Sequence, residues 1–318
     1  MIRWDRVGQC AAYGAALALA PYLLIKVSWV AGSLAGLLPV GAGFGKAEWV
    51  VLNSATIGMA GIGIAVALAL VRPWGMRIPG APFVFCAWVG TGFLVPVLPY
   101  AVFSSFPGPA DDGRETGTDP GPSMPDWEAA LVQFGCVGMG LGLALALPAY
   151  LRRRWPDAFA GRLGRGGRET SGAPPWRVVV GVTVGLVWLY WAVGGTVAVA
   201  RPGERDFAWS TLSGLLGFWA LVASGATWAV LGGRPAGVPR WGPMVLGWLG
   251  SGSLFAWSGW KLPFTLYLAV AQPADATLPE DLALAAVLHL AAVGAGAAML
   301  RALLRARKPS RGPRRAHG

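Results

Sequence analysis

The chain has 318 residues, 55% of them hydrophobic and 13% charged, with a formal net charge of +11. Soluble domains carry about 25% charged residues, so this composition lacks the polar surface to cover a water-soluble globule and reads as a multi-pass membrane protein. Three scattered cysteines and two histidines exclude a disulfide framework and a histidine-rich metal site, and the cysteines read as small buried hydrophobes.

Crossing a hydrocarbon layer of about 30 Å takes about 20 apolar residues in a helix, and eight segments qualify. They are expected to be helices, because backbone groups inside a bilayer must be satisfied within the segment. The first, 8–31, follows MIRWDRV and carries Lys26 and Trp29. It is too long for the apolar core of a signal peptide and reads as a membrane span. The second, 49–71, carries Asn53, with Glu48 at its edge. The third, 83–106, leads into an acidic, Pro- and Gly-rich loop at 104–126, which reads as a flexible solvated linker. The fourth, 127–151, carries Gln133. An Arg-rich segment, 152–176, joins it to the fifth, 177–200. The sixth, 207–231, follows Asp206. The seventh, 243–271, contains Lys261 within FAWSGWKLPF, beside Trp257 and Trp260. The eighth, 282–304, carries His289 and precedes a basic tail at 305–318.

Eight spans put both termini on one side. Of the 26 basic residues, 20 then fall on that side, counting Arg177 and Arg301 at the span ends; four fall on the other, and Lys26 and Lys261 lie deeper inside spans. This asymmetry places the termini in the cytoplasm. The net basicity is thus a topology signal, with attraction to anionic lipids at the cytoplasmic loops, and no nucleic-acid partner is expected. Few lysines amid abundant Ala, Gly and Arg point to a G+C-rich bacterial genome, hence a bacterial cell membrane.

The halves of the chain repeat. Residues 78–98 lie over 238–258 at an offset of 160, matching Pro79 with Pro239, Trp88 with Trp248, Gly90 with Gly250, Gly92 with Gly252 and Leu94 with Leu254. The shared W-x-G-x-G supplies small residues for close helix contact. At an offset of 162, Trp29 and Gly32 lie over Trp191 and Gly194; at 158, Glu48 falls on Asp206. Four spans per copy make the repeat parallel, related by an axis along the membrane normal. The expected fold class is an all-α transmembrane bundle of two tandem four-helix halves, 1–165 and 166–304, with the tail 305–318.

Within the fifth segment, LYWAVGG (189–195) resembles H-x-Y-W-A-x-G-G-x-W-G, a signature of small, uncharacterised four-span bacterial membrane proteins. Tyr190, Trp191, Ala192, Gly194 and Gly195 carry the resemblance; Trp188 stands in the His position, and Val197-Ala198 replaces the final W-G. The resemblance implies a duplicated version of such a unit and carries no activity with it.

No phosphate loop, zinc motif or nucleophile elbow is present, and Glu128, at the outer edge of the fourth, is the only Asp or Glu inside a span. No catalytic residue, metal or cofactor is therefore expected. What remains is polar residues in the outer half of the bilayer. Lys26, Lys261 and His289, with Trp29, Trp257, Trp260, Gln133 and Asn53, are the candidate ligand-binding set. Each lysine alone reads as a snorkelling side chain; together they would form a cationic, Trp-walled pocket for a small or amphipathic, anionic or lipid-like molecule. The expected function is binding or movement of such a molecule. The alternative is a scaffold acting through partner proteins. A lipid-modifying enzyme would need His289 beside a second titratable group.

Overall fold

The computed structural model describes residues 2–40, 45–77, 79–104, 126–154, 161–164, 174–271 and 279–306. The acidic loop, most of the Arg-rich connection and the end of the basic tail lie outside them. The described fold is all-helical: α1 (Ile2–Leu34), α2 (Lys46–Ala69), the short α3 (Pro73–Arg77), α4 (Gly80–Ser104), α5 (Asp126–Arg154), α6 (Trp176–Ala192), α7 (Phe207–Gly232), α8 (Trp241–Ala271) and α9 (Leu282–Ala306). Two isolated β-bridges, Arg162 with Pro239 and Val199 with Glu280, are the only extended pairings among the described residues.

Four helical stretches are long and apolar enough to cross a membrane: Asp5–Leu34, Lys46–Ala69, Phe207–Gly232 and Leu282–Ala306. The remaining segments differ for local reasons. The third and fourth lie in the helices α4 and α5, whose apolar stretches among the described residues are Val84–Tyr100 and Phe134–Leu147. The fifth stops at Ala192, where Gly194 takes φ +99°. The seventh forms a 31-residue helix interrupted by Ser251, Ser253, Ser258, Lys261 and Thr265.

The helices group into two compact units. In the first, Met1–Ala87 with Ala101–Arg154, α1 packs against α2 and α5. Glycines permit the close approach: a Cβ on Gly142 of α5 would stand 2.6 Å from the Ala11 carbonyl oxygen. In the second, Trp88–Tyr100 with Trp155–Gly318, helices α6 to α9 form an antiparallel bundle in which α6 also closes onto α9. Its core is built from Val184, Leu216, Ala220, Ala223, Leu254 and Met299. The α4 segment of this unit runs along α8. Trp88 Nε1 donates to Ser251 Oγ at 3.1 Å, and Trp257 Nε1 donates to the Phe93 carbonyl at 3.2 Å. Because these contacts ascend together along both chains, the two helices are parallel.

Many large apolar side chains point outward, among them Leu17 (72% exposed), Phe134 (63%) and Leu290 (63%), while Ala, Ser and Thr share the interior with Trp, Leu and Met. That distribution suits lipid as the surrounding solvent. Cys10 and Cys86 also face outward, so these two are not the buried hydrophobes their apolar surroundings predicted. A helix has an outer face as apolar as its inner one when the solvent is hydrocarbon.

Candidate functional site

The second unit holds a cavity at the end where α6 meets α7 and α8 meets α9. Trp188, Trp191, Trp209, Ser213, Leu216, Lys261, Glu280, Ala285 and His289 line it. Its free volume, counted by the centre of a water-sized sphere, is ≈ 10 Å³, which is room for about one water.

The LYWAVGG stretch shapes one wall. Helix α6 ends in a glycine cap: Gly195 N–H donates to the Tyr190 carbonyl at 2.8 Å and Gly194 N–H to that of Trp191 at 3.1 Å. The chain then folds back over the Tyr190 ring, so closely that a Cβ at Gly195 would overlap it. Tyr190 Oη accepts the N–H groups of Thr196 and Val197, and Trp191 Nε1 donates to the Val197 carbonyl at 2.9 Å. This hook presents residues 198–201 to the start of α9. Arg201 N–H donates to the Pro279 carbonyl and Asp281 N–H to that of Ala198, both at 3.0 Å. The pairing turns Glu280 inward, where it is 4% exposed.

Glu280 Oε2 accepts Trp209 Nε1 at 2.7 Å. Trp209 in turn stacks on Trp191, with centroids 6.2 Å apart. His289 is buried, with Nδ1 3.3 Å from Ser258 Oγ and its ring 6.0 Å from that of Trp188. Lys261 reaches the cavity from α8, and no direct ion pair joins it to Glu280 among the described residues. A carboxylate, an ammonium and an imidazole thus share one small chamber. Sequence reasoning missed Glu280 because it sits outside every apolar run; only the fold-back of 279–281 buries it.

The predicted set divides between the units. Lys261 and His289 line the cavity. Trp257 belongs to the α4–α8 contact, and Trp260 is 58% exposed. Lys26, Trp29 and Asn53 come together in the first unit. Lys26 Nζ donates to Asn53 Oδ1 at 3.1 Å and lies 4.0 Å over the Trp29 ring. Trp29 stacks on Trp49 at 5.7 Å, Trp49 Nε1 donates to Ser33 Oγ, and Asn53 Nδ2 donates to the Trp49 carbonyl. The side chain of Gln133, in α5, lies outside the described residues.

The flanking carboxylates serve as caps. Asp206 Oδ1 accepts Trp209 N–H at 2.6 Å at the start of α7, and Glu48 Oε2 accepts Gly45 N–H at 3.0 Å before α2.

At the other end of the first unit, Leu70, Val71, Arg72, Pro73, Met76 and Arg153 line a cavity of ≈ 200 Å³. Arg153 donates to the Leu70 carbonyl at 2.9 Å and lies 3.8 Å from Asp5. Among the described residues, no cluster of three or more His, Cys, Asp or Glu could hold a metal ion. No protein-family model, curated protein or solved structure matches this chain.

Proposed function

We propose that this chain is an eight-span membrane protein of the bacterial cell membrane, with both termini cytoplasmic, built from two copies of a four-span unit like the proteins LYWAVGG resembles. Its second unit binds a small polar or amphipathic molecule in the chamber at the outer face. The observation that carries the ligand reading is that Lys261, His289 and Glu280 converge on one Trp-walled cavity. Titratable groups inside a membrane are costly and concentrate where function needs them.

Internal geometry supports the duplication. Trp29 and Trp49 stack in the first unit with planes 28° apart, and Trp191 and Trp209 stack in the second at 30°. These are equivalent residues, at offsets of 162 and 160. Gly92 and Gly252, also equivalent, meet where α4 and α8 touch: a Cβ on Gly92 would overlap the Gly252 carbonyl.

The dense interior of α6–α9 favours binding over passage, and it is also the observation behind a second reading, a scaffold working through partner proteins. Native mass spectrometry of the purified full-length protein, with thermal unfolding across a panel of lipids and head groups, tests the proposal. A retained molecule or ligand-dependent stabilisation, lost in Lys261→Met, is expected. A bare mass and an unmoved Tm across the panel would leave the scaffold. Reporter fusions at Arg234–Gly237 should read as cytoplasmic; an external signal there would overturn the topology.

A further inference from the structure

We propose that the chamber seats a primary ammonium group of its ligand between Trp191, Ser213 and Glu280, as the first unit seats its own Lys26. The inference rests on the reading of the chamber as a ligand site, and it comes from matching the two copies residue by residue. Trp29 and Trp49 correspond to Trp191 and Trp209; Lys26 and Asn53 correspond, at the same offsets of 162 and 160, to Trp188 and Ser213. In the first unit the Lys26 ammonium occupies the angle of the Trp–Trp stack, over one indole and hydrogen-bonded to the Asn53 carbonyl oxygen. In the second unit no lysine comes from α6, and the same angle is the cavity lined by Trp188, Trp191, Trp209 and Ser213.

Two features of the second copy sharpen the ligand class. Glu280, buried and hydrogen-bonded to Trp209, adds a negative charge beside the indole faces, which themselves attract cations. The volume of ≈ 10 Å³ is about that of one water, the size of an –NH₃⁺ group. Lys261 lines the same cavity without pairing to Glu280, and its charge suits an anionic group on the other end of the ligand. The expected ligand is a zwitterion that joins a primary ammonium to a phosphate or carboxylate. A phosphoethanolamine lipid head and its free counterpart share that chemistry.

The test uses the detergent-purified full-length protein, with O-phosphoethanolamine, O-phosphocholine and glycerol 3-phosphate as soluble probes. Nanodiscs carrying phosphatidylethanolamine or phosphatidylcholine form the lipid arm. Thermal shift and tryptophan fluorescence are the readouts. Phosphoethanolamine, free or lipid-borne, should stabilise the protein and perturb its fluorescence, and the other head groups should not. Response only in the lipid arm assigns a lipid source; equal response to the free head group assigns a soluble one. Glu280→Gln keeps an acceptor for the Trp209 N–H while removing the charge, and should weaken binding about tenfold. Equal binding of phosphocholine, or a Glu280→Gln protein with unchanged affinity, would overturn the ammonium seat while leaving a ligand site standing. Silence to every probe would take both down.

Discussion

The α4–α8 contact makes a quantitative test of the fold. A methyl group at Gly252 would stand 2.7 Å from the Trp88 carbonyl oxygen and 3.1 Å from Trp88 Cδ1 and Nε1. Close C···O approaches run at about 3.3–3.6 Å, so α4 must retreat by roughly 0.6–0.9 Å or the indole must turn. Overpacking of this kind costs about 1–3 kcal/mol. Turning the indole also strains the bond from Trp88 Nε1 to Ser251 Oγ, in a side chain only 1% exposed; a buried donor left unpaired costs about 1–3 kcal/mol. Gly252→Ala should therefore destabilise by about 2–4 kcal/mol. Gly259, on the same helix, has nothing within 4 Å of an added Cβ, and Gly259→Ala should be neutral or gain about 0.5–1 kcal/mol of helix propensity. The assay is thermal unfolding of both variants in one detergent. At about 2 °C per kcal/mol for a unit of this size, Gly252→Ala should fall by about 4–8 °C while Gly259→Ala holds or rises. Equal Tm values would refute the close approach of the two helices.

Gly194→Ala forces a side chain into φ +99° and should cost about 1–2 kcal/mol. The hook that carries Trp191 Nε1 to Val197 would loosen, read as a shift in tryptophan emission; an unchanged spectrum and Tm would contradict it. Arg72 and Arg153 flank the ≈ 200 Å³ cavity at the end of α2. Arg72→Gln should reduce retention of phosphatidylglycerol over phosphatidylcholine about fivefold, given about 1 kcal/mol per basic residue at an anionic surface. Unaltered retention in native mass spectra would remove this cavity as an anionic-lipid contact.

The helices were legible because hydrocarbon imposes a simple rule, a long apolar run with polar ends, and each of the eight runs is helical over most of its length. Their W-x-G-x-G packing was half legible. Gly92 and Gly252 meet each other and Gly250 meets α7 near Ala223, while nothing lies within 4 Å of a Cβ on Gly90. A one-dimensional motif carries no information about which face of the helix has a neighbour. His289 and Lys261 stood out as polar residues in apolar runs. Glu280 did not, since its burial depends on a hook more than eighty residues upstream, built from Gly194 and Gly195. At the offset of 160 that pairs Gly92 with Gly252, Trp49 falls on Trp209 and Asn53 on Ser213, two residues out of step with the 158 that pairs Glu48 with Asp206. Single tryptophans in a Trp-rich chain become a signal only when the stack in each unit is seen.

On the proposed duplication, the Trp–Trp stacks of the two units differ in what lies in the angle beside them, and the difference separates two readings of Lys26. If Lys26 and Lys261 shared one cationic pocket, each would contribute to the same ligand, and Lys26→Met would abolish binding. The geometry within the first unit gives Lys26 a different role. Its ammonium bonds Asn53, which is 2% exposed and itself bonded to the Trp49 carbonyl. Lys26 thus ties α1 to α2, filling from within the place that the second unit leaves open. Lys26→Met should then cost about 1.5–3 kcal/mol, the range for a hydrogen bond to a charged group, and leave phosphoethanolamine affinity intact. Lys261→Met should do the reverse, weakening the anionic end of the ligand at little cost in stability, since Lys261 has no ion-pair partner among the described residues. Measuring Tm and probe affinity for both variants separates the cases: loss of binding in Lys26→Met at unchanged Tm would return that lysine to a shared pocket and refute the self-filled chamber.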